Sequence, residues 1–277
     1  MTRLAALVLV ALAFAGCAPR REDDGRVAVT AGFARLADLA RAVGGDRVRV
    51  TDLTPPGVEP HDLELSSREI DRVDGADVLL YLGGGFQPAL EQAAHLARRR
   101  VDLLHDGEEK DPHIWLDPVR YAEASKAVED ALVAADPAGA DVYRRRGAAL
   151  RAELAGLDTE LREGLAGCRH RTFVTAHAAF GYLARRYGLT QRAITGVSPE
   201  SEPDPARLAD LADLVRKEGL TTVFTEKLVS PKVSAALARE AGVRVAVLDP
   251  LEGRLGGGYP AATRANLAAL RAALGCP

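Results

Sequence analysis

The chain has 277 residues and a formal net charge of -3, with 47% hydrophobic, 27% charged and 5% aromatic residues. That length allows one large domain or two modest ones, with enough chain to bury a core. The mild acidity excludes the basic face expected of a nucleic-acid-binding protein, and the hydrophobic content excludes a disordered acidic tail.

The first residues read as an address. Arg3 precedes an apolar stretch of about 12 residues, too short for the roughly 20 that span a bilayer, and small residues follow it. This is the pattern of a secretory signal. The segment Phe14-Ala15-Gly16-Cys17 resembles a bacterial lipobox. Residues 1–17 are therefore expected to be a signal peptide whose Cys17 is lipidated, anchoring the protein to a membrane without spanning it. Residues 18–25 read as a polar tether. Cys168 and Cys276 remain in the mature chain, and outside the cytoplasm such a pair is expected to form one disulfide.

Short apolar runs then alternate with helical patterns. Strands are expected at 27–31, 48–53, 77–82 and 100–103, with helices at 34–43, 66–73 and 86–98 between them. A second series follows, with strands at 172–175, 192–195, 221–224 and 243–248 and helices at 179–187, 204–218 and 230–240. Near-continuous apolar strands alternating with helices predict buried parallel sheets. The fold class is α/β: two lobes, each a four-stranded, mainly parallel sheet flanked by helices, joined by one long helix. A helix at 119–135 stops at Asp136-Pro137. Leucines at 3–4 spacing across 138–165 then predict a rigid strut of about 42 Å. The lobes are assigned to 26–137 and 167–277, with 138–166 as the linking helix.

The chemistry gathers at the carboxyl ends of the strands, where open α/β sheets bind ligands. His61 follows the second strand, His177 the fifth and Asp249 the eighth, while His113 sits on a loop before the 119–135 helix. Three imidazoles and one carboxylate make a shell suited to a divalent transition metal such as zinc. No HExxH sequence occurs, so the zincin arrangement fails. Glu226, at another strand end, is a spare oxygen ligand, and His105 lies in a short acidic loop where it would assist capture. Glu59, Asp62 and Glu252 are candidates to orient ligands from outside. Gly83-Gly84-Gly85 lacks the spacing of a phosphate-binding loop and reads as a tight turn.

These stretches together resemble the zinc/manganese group (cluster A-I) of metal-binding solute-binding lipoproteins of bacterial ABC importers. The resemblance runs from Val27 to Cys276. It rests on Gly57-Val58-Glu59-Pro60-His61-Asp62, on Asp111-Pro112-His113-Ile114-Trp115-Leu116-Asp117-Pro118, and on Thr175-Ala176-His177-Ala178-Ala179-Phe180-Gly181-Tyr182. Phe224-Thr225-Glu226-Lys227-Leu228-Val229-Ser230-Pro231 and Leu248-Asp249-Pro250-Leu251-Glu252-Gly253 complete it. It implies that His61, His113, His177 and Asp249 hold the metal between the lobes. It also implies a monomeric, extracytoplasmic receptor working with a separate permease and ATPase, and no enzyme. Manganese-type members commonly carry Glu as the third ligand, so His177 favours Zn²⁺, with Mn²⁺ the alternative. Many zinc-type members carry a long His/Asp-rich loop before the second ligand, and only residues 105–110 stand in its place. A secreted zinc hydrolase, which needs an open coordination position and a base, and a surface adhesin are the readings from other classes.

Overall fold

The computed structural model describes residues 24–104 and 111–277. The expected signal peptide, Cys17 and His105 therefore lie outside the described residues, as does most of the tether. The first sheet contains β1 (Val27–Ala31), β2 (Val48–Asp52), β3 (Val78–Tyr81) and β4 (Arg100–Asp102), in the order β2-β1-β3-β4 with every pair parallel. The second contains β5 (Thr172–Thr175), β6 (Thr190–Ala193), β7 (Thr222–Thr225) and β8 (Arg244–Val247), in the equivalent order β6-β5-β7-β8, again all parallel. Each order reverses direction beside its first strand, and that switch point opens a crevice at the carboxyl ends of the strands.

Helices α1 (Ala34–Gly44), α2 (Ser67–Asp74) and α3 (Pro88–Ala93) serve the first sheet. The expected helix at 86–98 is shorter than its pattern. Pro88 starts it, and a 3₁₀ turn at Ala94–Leu96 ends it. Helix α4 (Pro118–Ala135) has Pro118 at its first position, and the Asp117 side chain accepts from the Val119 N–H, a standard helix start. Helix α5 (Ala140–Gly164) is the expected long helix, 25 residues in length. Its first half lies on α1 and α4, where Tyr143 donates to Asp136 and Arg146 donates to the Ala42 carbonyl. Beyond it, α6 (Gly181–Arg186), α7 (Pro205–Glu218) and α8 (Lys232–Ala241) serve the second sheet.

A last helix, α9 (Gly258–Leu274), was not expected from the sequence. Alanine occupies most of its turns, which leaves too few large apolar residues to show a stripe. It packs on the second half of α5, where Arg264 makes a two-point ion pair with Glu160. Cys276, just past its end, is disulfide-bonded to Cys168.

One core cluster runs through both sheets' layers, from Val27 through Trp115 and Leu157 to Leu274. Side chains also cross between the lobes. The Trp115 indole N–H donates to the Pro250 carbonyl, Tyr259 donates to the Trp115 carbonyl, and Arg186 donates to Asp117. A shared, close-packed core resists wide hinge opening. Among the described residues, no helix is long and apolar enough to cross a membrane.

Candidate metal site

Three imidazoles meet where the two sheets face each other. His61 lies in a 3₁₀ turn at Pro60–Asp62, whose preceding Glu59 accepts from the His61 backbone N–H. His113 immediately precedes the 3₁₀ turn Ile114–Leu116. His177 lies two residues past the end of β5, at the second sheet's switch point. The Nε2 atoms of His61 and His177 are 3.4 and 3.3 Å from the Nε2 of His113.

The fourth member is Glu252. Its Oε1 lies 3.3, 3.6 and 3.9 Å from the Nε2 atoms of His113, His177 and His61. One donor atom from each of these four residues falls within 4.8 Å of the others. Both Glu252 carboxylate oxygens are buried without a hydrogen-bond partner. Orphaned buried carboxylate oxygens are costly, and facing three imidazole nitrogens they fit a divalent cation.

Asp249, the carboxylate expected at this position, does not join the group. Its Oδ2 is ion-paired with Lys227 at 2.6 Å and its Oδ1 accepts from the Leu251 N–H at 2.8 Å. The Asn266 side-chain amide on α9 both accepts from the Asp249 N–H and donates to its carbonyl. Asp249 thus builds the turn. Leu251 takes a left-handed conformation, φ 61°, rare for a non-glycine residue. The reversal swings the chain so that Glu252 enters the site. Strain of this kind gathers at functional sites, where the surroundings hold it in place.

Glu226 likewise has a different place from that of a spare ligand. Its Oε2 accepts from the Nδ1 of His177 at 2.5 Å, and its Oε1 accepts from the His177 backbone N–H at 3.1 Å. Asp111 does the same for His113, accepting from Nδ1 at 2.7 Å and from the backbone N–H at 3.1 Å. Each carboxylate fixes the tautomer that turns Nε2 inward, as the outer partners of metal-bound imidazoles do. Asp111 was missed in the sequence, although its place two residues before His113 matches this role. Asp111 also presses on α6 from across the lobes: a Cβ on Gly181 would lie 2.7 Å from its Oδ2.

Burial shapes the charges. It pushes His61 down to about 3, helped by the neighbouring His113 charge. Burial also opposes protonation of His177, but Glu226 and Glu252 outweigh it and raise the imidazole to about 10. His113 moves up for the same reason, with Asp111 and Glu252 overcoming burial. Burial raises Glu59, and the Glu252 charge adds to it. Glu252 is held well below the usual carboxylate range, because His113 and His177 overcome its burial.

Aromatic rings wall the site. Phe86 packs edge-on against His61 with centroids 4.5 Å apart, and Trp115 is 5.1 Å from His113. The Gly83-Gly84-Gly85 segment is a tight turn: its N–H groups at Gly83 and Gly85 donate to Asp102 and Glu91. His95 and His170 stand outside the group.

The chain matches the family of ZnuA, the periplasmic component A of a zinc-uptake complex, over residues 29–273. It belongs to that family. Among curated relatives it is 32% identical over 294 residues to the zinc-binding lipoprotein AdcA of Streptococcus pneumoniae serotype 4, covering 95% of this chain. It spans only 59% of that relative's length. The crystal structure of the Zn(II)-bound ZnuA-like domain of AdcA superposes with a TM-score of 0.77 at 32% identity, covering 90% of this chain and 99% of that one. The laminin-binding protein Lmb of Streptococcus agalactiae is described as bifunctional, with adhesin and metal-transporting activity. It superposes with a TM-score of 0.83 at 31% identity, covering 90% of this chain and 99% of Lmb. These ZnuA-family relatives are named for metal binding, transport and adhesion rather than for catalysis.

Proposed function

We propose that the chain is the extracytoplasmic receptor of an ABC importer for zinc. It takes Zn²⁺ as cargo on the Nε2 atoms of His61, His113 and His177 and on the Glu252 carboxylate, and presents it to a separate permease driven by a separate ATPase. The observation that carries this is the buried, partnerless Glu252 carboxylate facing three inward-turned imidazoles. Three nitrogens and one oxygen suit zinc, whereas manganese favours more oxygen donors. Four protein donors also fill a tetrahedron and leave no open position for an attacking water, which argues against a zinc hydrolase.

The proposal includes the lobes 26–137 and 167–277, the linking helix 138–166, a monomeric state and a lipid anchor on Cys17. Titration of metal-free protein with Zn²⁺ and Mn²⁺ in competition tests the cargo. One saturable Zn²⁺ site per chain that Mn²⁺ displaces only in large excess is expected. Tighter binding of Mn²⁺, or no saturable site, overturns the reading.

A further inference from the structure

Arg35 breaks two local rules at once. It sits in the first turn of α1, where the helix dipole disfavours a cation. It is also 1% exposed, where an unpaired guanidinium is costly. Its Nη1 pairs with Asp38 at 2.8 Å, while Nε lacks a hydrogen-bond partner among the described residues. A residue that offends against local preference and burial together points to a task elsewhere. The remaining donor shows it: Nη2 donates to the Gly253 carbonyl at 2.8 Å, 218 positions along the chain and immediately after Glu252. Arg35 is itself held, since Tyr121 donates to its carbonyl at 2.8 Å.

The Glu252 turn is therefore gripped from both lobes. The second lobe holds it at Asp249, through Lys227 and Asn266. The first lobe holds it on either side of Glu252, through Trp115 at the Pro250 carbonyl and Arg35 at the Gly253 carbonyl. The chain that follows the turn, at Arg254 and Leu255, lines a cleft of about 480 Å³ together with Arg35, Asp38, Tyr121 and Tyr259. We propose that Arg35 is a positioning residue for the cargo site: through Gly253 it registers the second lobe's carboxylate against the first lobe's His61 and His113. Loosening this bond lets Glu252 withdraw and the metal leave. The inference rests on the metal-site reading above.

A double-mutant cycle tests it, with R35Q, E252Q and R35Q/E252Q. The readouts are Zn²⁺ affinity against a chelator, the Zn²⁺ dissociation rate, the visible spectrum of the Co²⁺-loaded protein, and the melting temperature without metal. R35Q is expected to weaken zinc by about 10–100-fold, the usual scale for losing an outer partner of a ligand. Most of that is expected as faster dissociation, with the Co²⁺ spectrum moving toward that of E252Q. Because Arg35 acts through Glu252, adding R35Q to E252Q is expected to change affinity by less than about 3-fold, a strongly non-additive pair. Equal losses in both backgrounds, or a wild-type dissociation rate in R35Q, overturn the proposal. Where R35Q does not fold, R35K keeps the cation and one donor. It is then expected to release zinc faster than wild type, and an unchanged rate overturns the proposal equally. Unchanged zinc affinity in E252Q alone would instead remove the metal-site reading beneath it.

Discussion

The two lobes present their donors differently. In the second lobe His177 is locked: Glu226 holds both its ring and its backbone N–H, and Gln191 and Thr175 donate to its carbonyl. Glu252 sits on a turn built by Asp249, Lys227 and Asn266. In the first lobe His113 has its Asp111 partner, but His61 stands in a half-buried turn, held at its backbone N–H by Glu59 at 3.4 Å. Under the proposed function, a site that is rigid on one side and looser on the other admits and releases metal without moving whole lobes. The shared core makes this the cheaper motion.

The sharpest break of that contrast is H177A against H61A. Removing His177 takes away the donor that Glu226 orients, so zinc affinity is expected to fall by more than the roughly 10–100-fold that losing an outer partner costs, while the stranded Glu226 lowers the melting temperature of the metal-free protein. H61A removes a donor that Glu59 holds only at the backbone N–H, at 3.4 Å, so its loss is expected to be smaller. Zinc affinities of both variants, measured against a chelator, check this. A larger loss in H61A would reverse the roles assigned to the two sides.

One step smaller are the outer carboxylates. E226Q and D111N each keep their imidazole but weaken its orientation, and each is expected to lower zinc affinity about 10–100-fold. E226Q should cost more, because Glu226 is wholly buried on the rigid side, while the Asp111 side chain is 10% exposed. Calorimetric titration of the two variants side by side measures the difference. Equal losses would mean that the sides are equally rigid.

Much of this was legible in the residues. Strands β1 and β5 and helices α1, α4 and α7 lie within a residue or two of their patterns, since their apolar faces are buried and their ends carry Pro, Asp or Gly signals. Strand β6 was shifted by two residues: it is a polar edge strand, Thr-Gln-Arg-Ala, with no apolar run to mark it. That His61, His113 and His177 come together was readable because each follows a strand or precedes a helix start. The carboxylate that joins them in the structure, Glu252, was not. Asp249 lies two residues past the end of β8 and Glu252 three further on, so linear proximity favoured Asp249. What brings Glu252 rather than Asp249 beside the histidines is the left-handed Leu251, a backbone state that the residue type argues against. Helix α9 pins that turn from a segment so alanine-rich that it showed no stripe.

The Trp115 ring packs beside His113 at the seam of the lobes, and it is the only tryptophan in the chain. Its indole N–H is bonded to Pro250, two residues before Glu252. Zinc binding is expected to shift its emission modestly in wild type and less in E252Q, where the turn no longer responds to cargo. Identical responses in both would mean that the turn is insensitive to the metal.

The smallest expected effect discriminates most cleanly between the two carboxylates of the turn. D249N keeps an acceptor oxygen for the Leu251 N–H and retains the backbone bonds to Asn266, but gives up the charge facing Lys227. That lysine side chain is 64% exposed, so the ion pair contributes at most about 1 kcal/mol. Zinc affinity in D249N should therefore fall by less than about 5-fold. E252Q, by contrast, removes the only charged oxygen donor among the four residues. If Asp249 ligated the metal, as its place after β8 first implied, the two variants would exchange ranks. The second lobe's contribution would then be His177 and Asp249, and the left-handed Leu251 would be left without a function. Small loss in D249N with large loss in E252Q is the result that ties the strained turn to cargo binding.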